Sequence, residues 1–163
     1  FLKGEQSVDS IDNSSATKAI LFLQCLHKLG ITDIDSEMEL ITNIVSKLSK
    51  KYKEILIKQH PYAKIDLPKL PENASEIDSL PELEDISLIV SAFSTALLEY
   101  EKYGITAVSI KYDKLNVNES VYDQFLNIHE FDSNTDEFNY KLNDKRKNLP
   151  IFFEVGEMQL ELL

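Results

Sequence analysis

Three histidines, His27, His60 and His129, and one cysteine, Cys25, are the side chains best suited to metal binding or nucleophilic chemistry. Cys25 and His27 form a Cys-x-His pair, which would supply two metal ligands or a thiol and its base. The pair sits in a run that reads as helix, where residues two apart point about 200° away from each other. They would not share one site, and Cys25 is assigned to the core. No His-x-x-His or Glu-x-x-His pair is present. Asp132-x-Asn134-x-Asp136 has the opening spacing of a calcium loop. Glu137 stands where that loop needs glycine and Asn143 where it needs its last carboxylate, so the match fails.

Carboxylates cluster at Glu37 and Glu39, at Glu82, Glu84 and Asp85, and at Glu99 and Glu101. The first two groups fall in predicted first turns of helices, where negative charge opposes the macrodipole and needs no catalytic explanation. The chain has four glycines and none of the glycine-rich phosphate loops or the nucleophile-elbow pattern, which argues against a nucleotide site. No catalytic residue, metal ligand or cofactor is predicted. An enzyme would need a pocket that no linear motif reveals, gathering His129, Asp123 and a lysine or acid from elsewhere.

Two groups suggest contact with another protein. Lys47, Lys50, Lys51 and Lys58 recur at spacings that keep them on roughly one helical side, as a solvated face, a partner for this chain's own acidic loop, or a contact for an acidic protein. Tyr100, Tyr103 and Tyr122 offer the rigid, amphipathic area favoured at interfaces. The candidate partner-binding set is therefore Lys47, Lys50, Lys51, Tyr100, Tyr103 and Tyr122.

The elements that would carry these residues read mainly as helices. Residues 1–13 are polar and aperiodic, a tail. A first helix starts at Ser14 or Ser15 and ends at Gly30, with Ala19, Ile20, Leu23 and Leu26 inward. A second, 36–60, begins with a Ser36–Glu39 capping box and ends before Pro61. Its leftover apolar residues Met38, Leu40 and Ile57 would meet a partner helix. An acidic, proline-punctuated connection covers 61–81. A third helix opens on a Ser79–Glu82 capping box, carries Ile86, Ile89, Val90, Phe93, Ala96, Leu97 and Tyr100 on one stripe, and closes at Gly104 as a left-handed cap. Residues 106–112 alternate as a strand. A short helix follows from Asn116 or Asn118, with Val121, Phe125 and Ile128 inward, then a loop over 132–149. A terminal strand or hairpin at 151–163 would pair with 106–112. The predicted fold class is α+β, helix-dominated: three to four amphipathic helices with a small antiparallel β element, in one domain over 14–163.

Composition sets the function classes. The 163 residues carry a net charge of −11, which disfavours nucleic acid and anionic membrane as partners. Arg146 is the only arginine, removing the side chain best suited to phosphate and base edges. A lone cysteine fits a reducing, intracellular compartment, and no apolar run approaches a membrane span. Residue 1 is Phe, so the chain reads as processed or cut from a longer protein. These features lead to a non-catalytic interaction module of a larger assembly, acting through helix 36–60 or the edge of the terminal strand. An acidic inhibitor or immunity-type protein blocking a basic partner such as a nuclease is the alternative, and an enzyme with a hidden site the second.

Overall fold

The computed structural model describes residues 18–147. Its centre is a seven-stranded sheet. The strands are β1 (Lys18–Leu23), β2 (Glu54–Gln59), β3 (Ala74–Ile77), β4 (Ile86–Ser91), β5 (Thr106–Lys111), β6 (Asn127–Glu130) and β7 (Lys141–Leu142). They lie in the order β3-β2-β1-β4-β5-β6-β7. All neighbouring pairs are parallel except β6–β7. Helices α1 (Ile34–Ser49), α2 (Ala96–Glu101) and α3 (Asp144–Lys147) complete the set, with 3₁₀ turns at Leu83–Asp85 and Glu119–Gln124.

Each inner strand serves two cores. Ala19, Leu21, Ile55, Ile57, Leu88, Val90, Val108 and Ile110 pack beneath Leu40, Ile41, Ile44, Val45 and Leu48 of α1. Ile20, Leu56, Ile86, Ile89 and Ala107 point the other way, against Leu97 of α2 and Phe125. A strand covered on both faces has no polar side to show, so it is written as an unbroken apolar run. This is the physical reason that the predicted helix-dominated bundle is incorrect: the protein is a sheet-dominated α/β fold.

The corrections are local. The run expected to be the first helix is β1, the central parallel strand. The expected helix 36–60 is α1 followed by β2. The helical part is capped by Asp33, whose Oδ1 accepts from Ser36 N at 2.7 Å, rather than by a Ser36–Glu39 box. The third expected helix is the 3₁₀ turn Leu83–Asp85, then β4, and only Ala96–Glu101 is α-helical; Gly104, at φ +82°, takes the left-handed conformation expected after it. Residues 106–111 do form a strand. Both its edges are taken by the parallel strands β4 and β6, where an antiparallel partner was expected at 151–163. That segment and the predicted tail at 1–13 lie outside the described residues. Asn118 caps its turn, accepting from Ser120 N at 3.0 Å, but the turn is 3₁₀ and Ile128 belongs to β6. Within the expected loop 132–149 lie β7 and α3.

The interaction-module reading falls with the bundle. The long helix that would have met a partner does not exist, and Ile57 and Leu40, expected to be left over for it, are 0% and 5% exposed in the protein's own core. No helix among the described residues is long and apolar enough to cross a membrane.

Candidate functional site

Six parallel strands end on one edge of the sheet, and the strand order reverses there. From β1 the chain moves outward to β2 and β3, then returns to the other side of β1 for β4, β5 and β6. The loops leaving β1 and β4 therefore part in opposite directions. This switch point is where open α/β sheets hold ligands. The β3-β2-β1-β4-β5-β6 order, with α1 on one face and α2 on the other, makes this a Rossmann-like sheet.

Buried polar side chains wire the loops at this edge to the strands. Gln24, just past β1, accepts through Oε1 from Phe93 N at 3.1 Å and from the Ser91 hydroxyl at 3.2 Å. On the other side of β4, the fully buried Ser109 hydroxyl donates to Ala92 O. The turn from β4 into α2, Ala92 to Thr95, is thus held from both neighbouring strands. Ser94 Oγ accepts from Ala96 N at 3.1 Å, leaving its own hydrogen to donate. Thr95 is exposed and makes no capping bond.

The loop after β2 is held in the same way. Buried Gln59 accepts from Ile65 N at 2.8 Å and donates to Ile65 O at 3.1 Å, closing the loop around His60, Pro61 and Tyr62. His60 is exposed; its Nδ1 accepts from Tyr62 N at 3.2 Å. Its loop and the Ser94 turn flank β1, two strand spacings apart, about 10 Å.

The loop after β1 is built differently. Cys25 takes a left-handed φ of +54°, at a cost of about 1–2 kcal/mol for a non-glycine residue. It turns the chain so that Leu26 N and His27 N face Glu37, whose carboxylate accepts them at 2.6 and 2.9 Å. His27 Nδ1 reaches the same carboxylate at 2.6 Å. Cys25 and His27 share no site: one is buried in the core and the other is bound to Glu37.

The predicted partner-binding residues do not come together. Lys47 is 3% exposed and donates to Asp132 O at 2.6 Å. Lys50 pairs with Asp136 at 3.4 Å, so Lys47 and Lys50 meet residues 132 and 136 rather than the acidic 61–81 connection. Lys51 is exposed beside Tyr52. Tyr100 packs on Phe22 in the core of the opposite sheet face, Tyr103 is exposed, and Tyr122 is buried under Lys111. The carboxylate of Asp132 is engaged in its own turn, accepting from Asn134 N at 2.9 Å. Among the described residues no group of three or more His, Cys, Asp or Glu side chains is arranged to hold a metal.

His129 and Asp123 do line one cavity of about 450 Å³, with Lys47 and Lys111, at the β6 edge. Its groups are largely engaged with each other, Asp123 with Lys145 and Lys111 with Glu119. The His129 Nδ1 meets the Asn139 carbonyl, which can only accept, so Nδ1 carries the proton. Nε2 is buried with no partner among the described residues. Burial, with a smaller push from Lys47, holds the imidazole below its ordinary pKa. The unfolded chain, at about 6.5, then binds more protons than the folded one as pH falls. The stability that neutral His129 contributes is full above about pH 6.5 and is lost on acidification through that value toward the folded pKa. Melting scans from pH 7.5 to 5.5 should show stability falling, and His129→Gln should flatten that slope. An unchanged slope in the variant would refute the assignment.

No family model matches the chain, and no curated protein matches it. Among solved structures it is similar to the spinosyn rhamnosyltransferase SpnG complexed with spinosyn aglycone. The two share 18% identity at a TM-score of 0.41, over 60% of this chain and 26% of that one. The chain thus spans about a quarter of that enzyme's length.

Sequence reasoning singled out His60 only as one of three scattered histidines, and it missed Gln24, Ser94 and Thr95. No two of the three segments that carry them are close in the chain, and none has a recognised spacing. The one available signal was the polar residues that follow apolar runs, Lys58-Gln59-His60 after Ile57 and Ser94-Thr95 after Phe93, which becomes legible only once those runs are read as parallel strands.

Proposed function

We propose that this chain carries the nucleotide-binding half of a group-transfer enzyme, its donor seated over the carboxyl ends of β2, β1 and β4. The observation that carries this reading is the reversal of strand order between β1 and β4, with the β4–α2 turn braced from both sides at that point. Nucleotides are the ligands this topology takes at its switch point. The scarcity of glycine argued against such a site from sequence alone, but a braced turn presenting hydroxyls needs no glycine cradle.

The same edge disfavours a dinucleotide cofactor. Such a cofactor places its pyrophosphate on the N–H groups that follow β1 and open the next helix. Here Glu37 occupies the Leu26 and His27 N–H groups, and the first turn of α1 adds Asp35 behind the Asp33 cap, charges that repel phosphate. A nucleotide displaced toward β2 and β4 serves as an activated donor rather than a hydride carrier. The His60 Nε2–H, left free while Nδ1 accepts from Tyr62 N, and the Ser94 and Thr95 hydroxyls are the donors offered to its phosphate oxygens.

Calorimetric titration with UDP, CMP, ADP and NAD tests this, followed by assays of transfer or hydrolysis with nucleoside mono- and diphosphate sugars. One mononucleotide should bind and NAD should not. His60→Ala and Thr95→Val should each weaken binding about 10–100-fold, the worth of one hydrogen bond to a charged group, with melting temperature unchanged because both side chains are exposed. Absence of binding by every mononucleotide at millimolar concentration would dismiss the reading.

A further inference from the structure

Gln24 sits at the strand-order reversal, with one end of its carboxamide committed. Its oxygen takes the Phe93 N–H and the Ser91 hydroxyl. A backbone N–H only donates, so the committed atom must be Oε1 and the amide cannot be flipped. Nε2, with two hydrogens, is therefore on the other branch. The described side-chain atoms buried without a partner are Thr32 Oγ1, Asn43 Oδ1, Glu101 Oε2, the Tyr122 hydroxyl and His129 Nε2. Gln24 is half-buried, and its Nε2 has no acceptor among the described residues and is not in that set, so it keeps two uncommitted hydrogens beside the turn that carries Ser94 and Thr95.

We propose that Gln24, besides bracing the β4–α2 turn, donates through Nε2 to a phosphate oxygen of the bound nucleotide. This rests on the nucleotide reading above. It also answers the objection raised by composition. The only arginine, Arg146, is engaged with Glu101 and the Gln124 carbonyl, and the β1 side of the switch point is acidic. A phosphate there is held by neutral donors aimed at it, the Gln24 amide together with the Ser94 and Thr95 hydroxyls. Neutral donors fixed in advance by other hydrogen bonds lose little entropy on binding, and Oε1 provides that fixing for Gln24.

Gln24→Glu separates the two roles. It is nearly isosteric and keeps acceptors for Ser91 and Phe93, but it replaces the donor by a carboxylate oxygen. The variant should melt close to the wild type and bind UDP, CMP or ADP, whichever the wild type takes, at least about 30-fold more weakly, a donor lost and a repulsion gained. Gln24→Ala should lower both stability and affinity. A folded Gln24→Glu that binds the nucleotide like the wild type overturns the proposal.

A second measurement needs no variant to fold. In ¹⁵N–¹H spectra of the wild-type protein, the Gln24 side-chain NH₂ pair should shift on saturation with the nucleotide. An unmoved pair while the Phe93 and Ser94 amides shift also overturns the proposal. If the wild type binds none of UDP, CMP and ADP, the functional reading itself fails and this one with it, a result distinct from selective loss in Gln24→Glu.

Discussion

Glu37→Ala should cost about 3–5 kcal/mol, a large share of the margin of about 5–15 kcal/mol of an ordinary domain. Glu37 is 2% exposed, and its carboxylate accepts three hydrogen bonds, from Leu26 N, His27 N and His27 Nδ1. Truncation leaves the Leu26 N–H buried with no acceptor and the His27 N–H nearly so, at about 1–3 kcal/mol for each stranded donor. It also frees a loop whose left-handed Cys25 needs that anchor to persist. Glu37→Gln keeps one acceptor oxygen and should fall between. Urea denaturation of the three proteins checks the order, with equal slopes required for the comparison. A loss below about 1 kcal/mol in Glu37→Ala would mean that the loop is not held by this carboxylate.

Ile57→Ala should cost about 2–5 kcal/mol, and Ile57→Asp should prevent folding. Ile57 is fully buried in β2, between Leu21 of β1 and Glu76 of the edge strand β3, under α1. Removing its branched side chain loses both the transfer energy of the deleted carbons and the contacts around the space they leave. A buried aspartate without a cation would be worse still. This pair of variants separates two folds. On the surface of a continuous helix 36–60, Ile57 would be solvent-exposed and both changes would stay within about 0.5 kcal/mol. Circular dichroism and urea titration of Ile57→Ala therefore test the sheet architecture itself, independently of any ligand.

What could be read directly was local. The Asp33-to-Ser49 region declares itself by period and by acidic residues in its first turn, so its helix was found within two residues at its start. The β5 strand was legible because Val108, Ile110 and Tyr112 alternate, and Gly104 marks a helix end because its left-handed φ disfavours a side chain. Ile86, Ile89 and Val90 matched a helical stripe by accident. In a strand buried on both faces every position is apolar, so any period can be drawn through it.

Other features were set by partners distant in the chain. The α1 helix carries no glycine or proline at its end. Its last turn is closed by Asn73, whose Nδ2 donates to Ser49 O at 3.0 Å and to Tyr52 O at 3.1 Å. The following residues are then free to leave as β2, a stop no local rule signals.

The candidate site follows the same division. The sequence alone determined the supply of groups: many carboxylates, one arginine, few glycines, and polar residues at the ends of apolar runs. Only the tertiary structure decided which of them meet. Strand order, a product of parallel crossovers between segments tens of residues apart, brings Gln24, His60 and Ser94 to one edge. Side-chain bonds across that order, Gln24 to Phe93 and Glu37 to Leu26, then determine which donors remain available to a ligand.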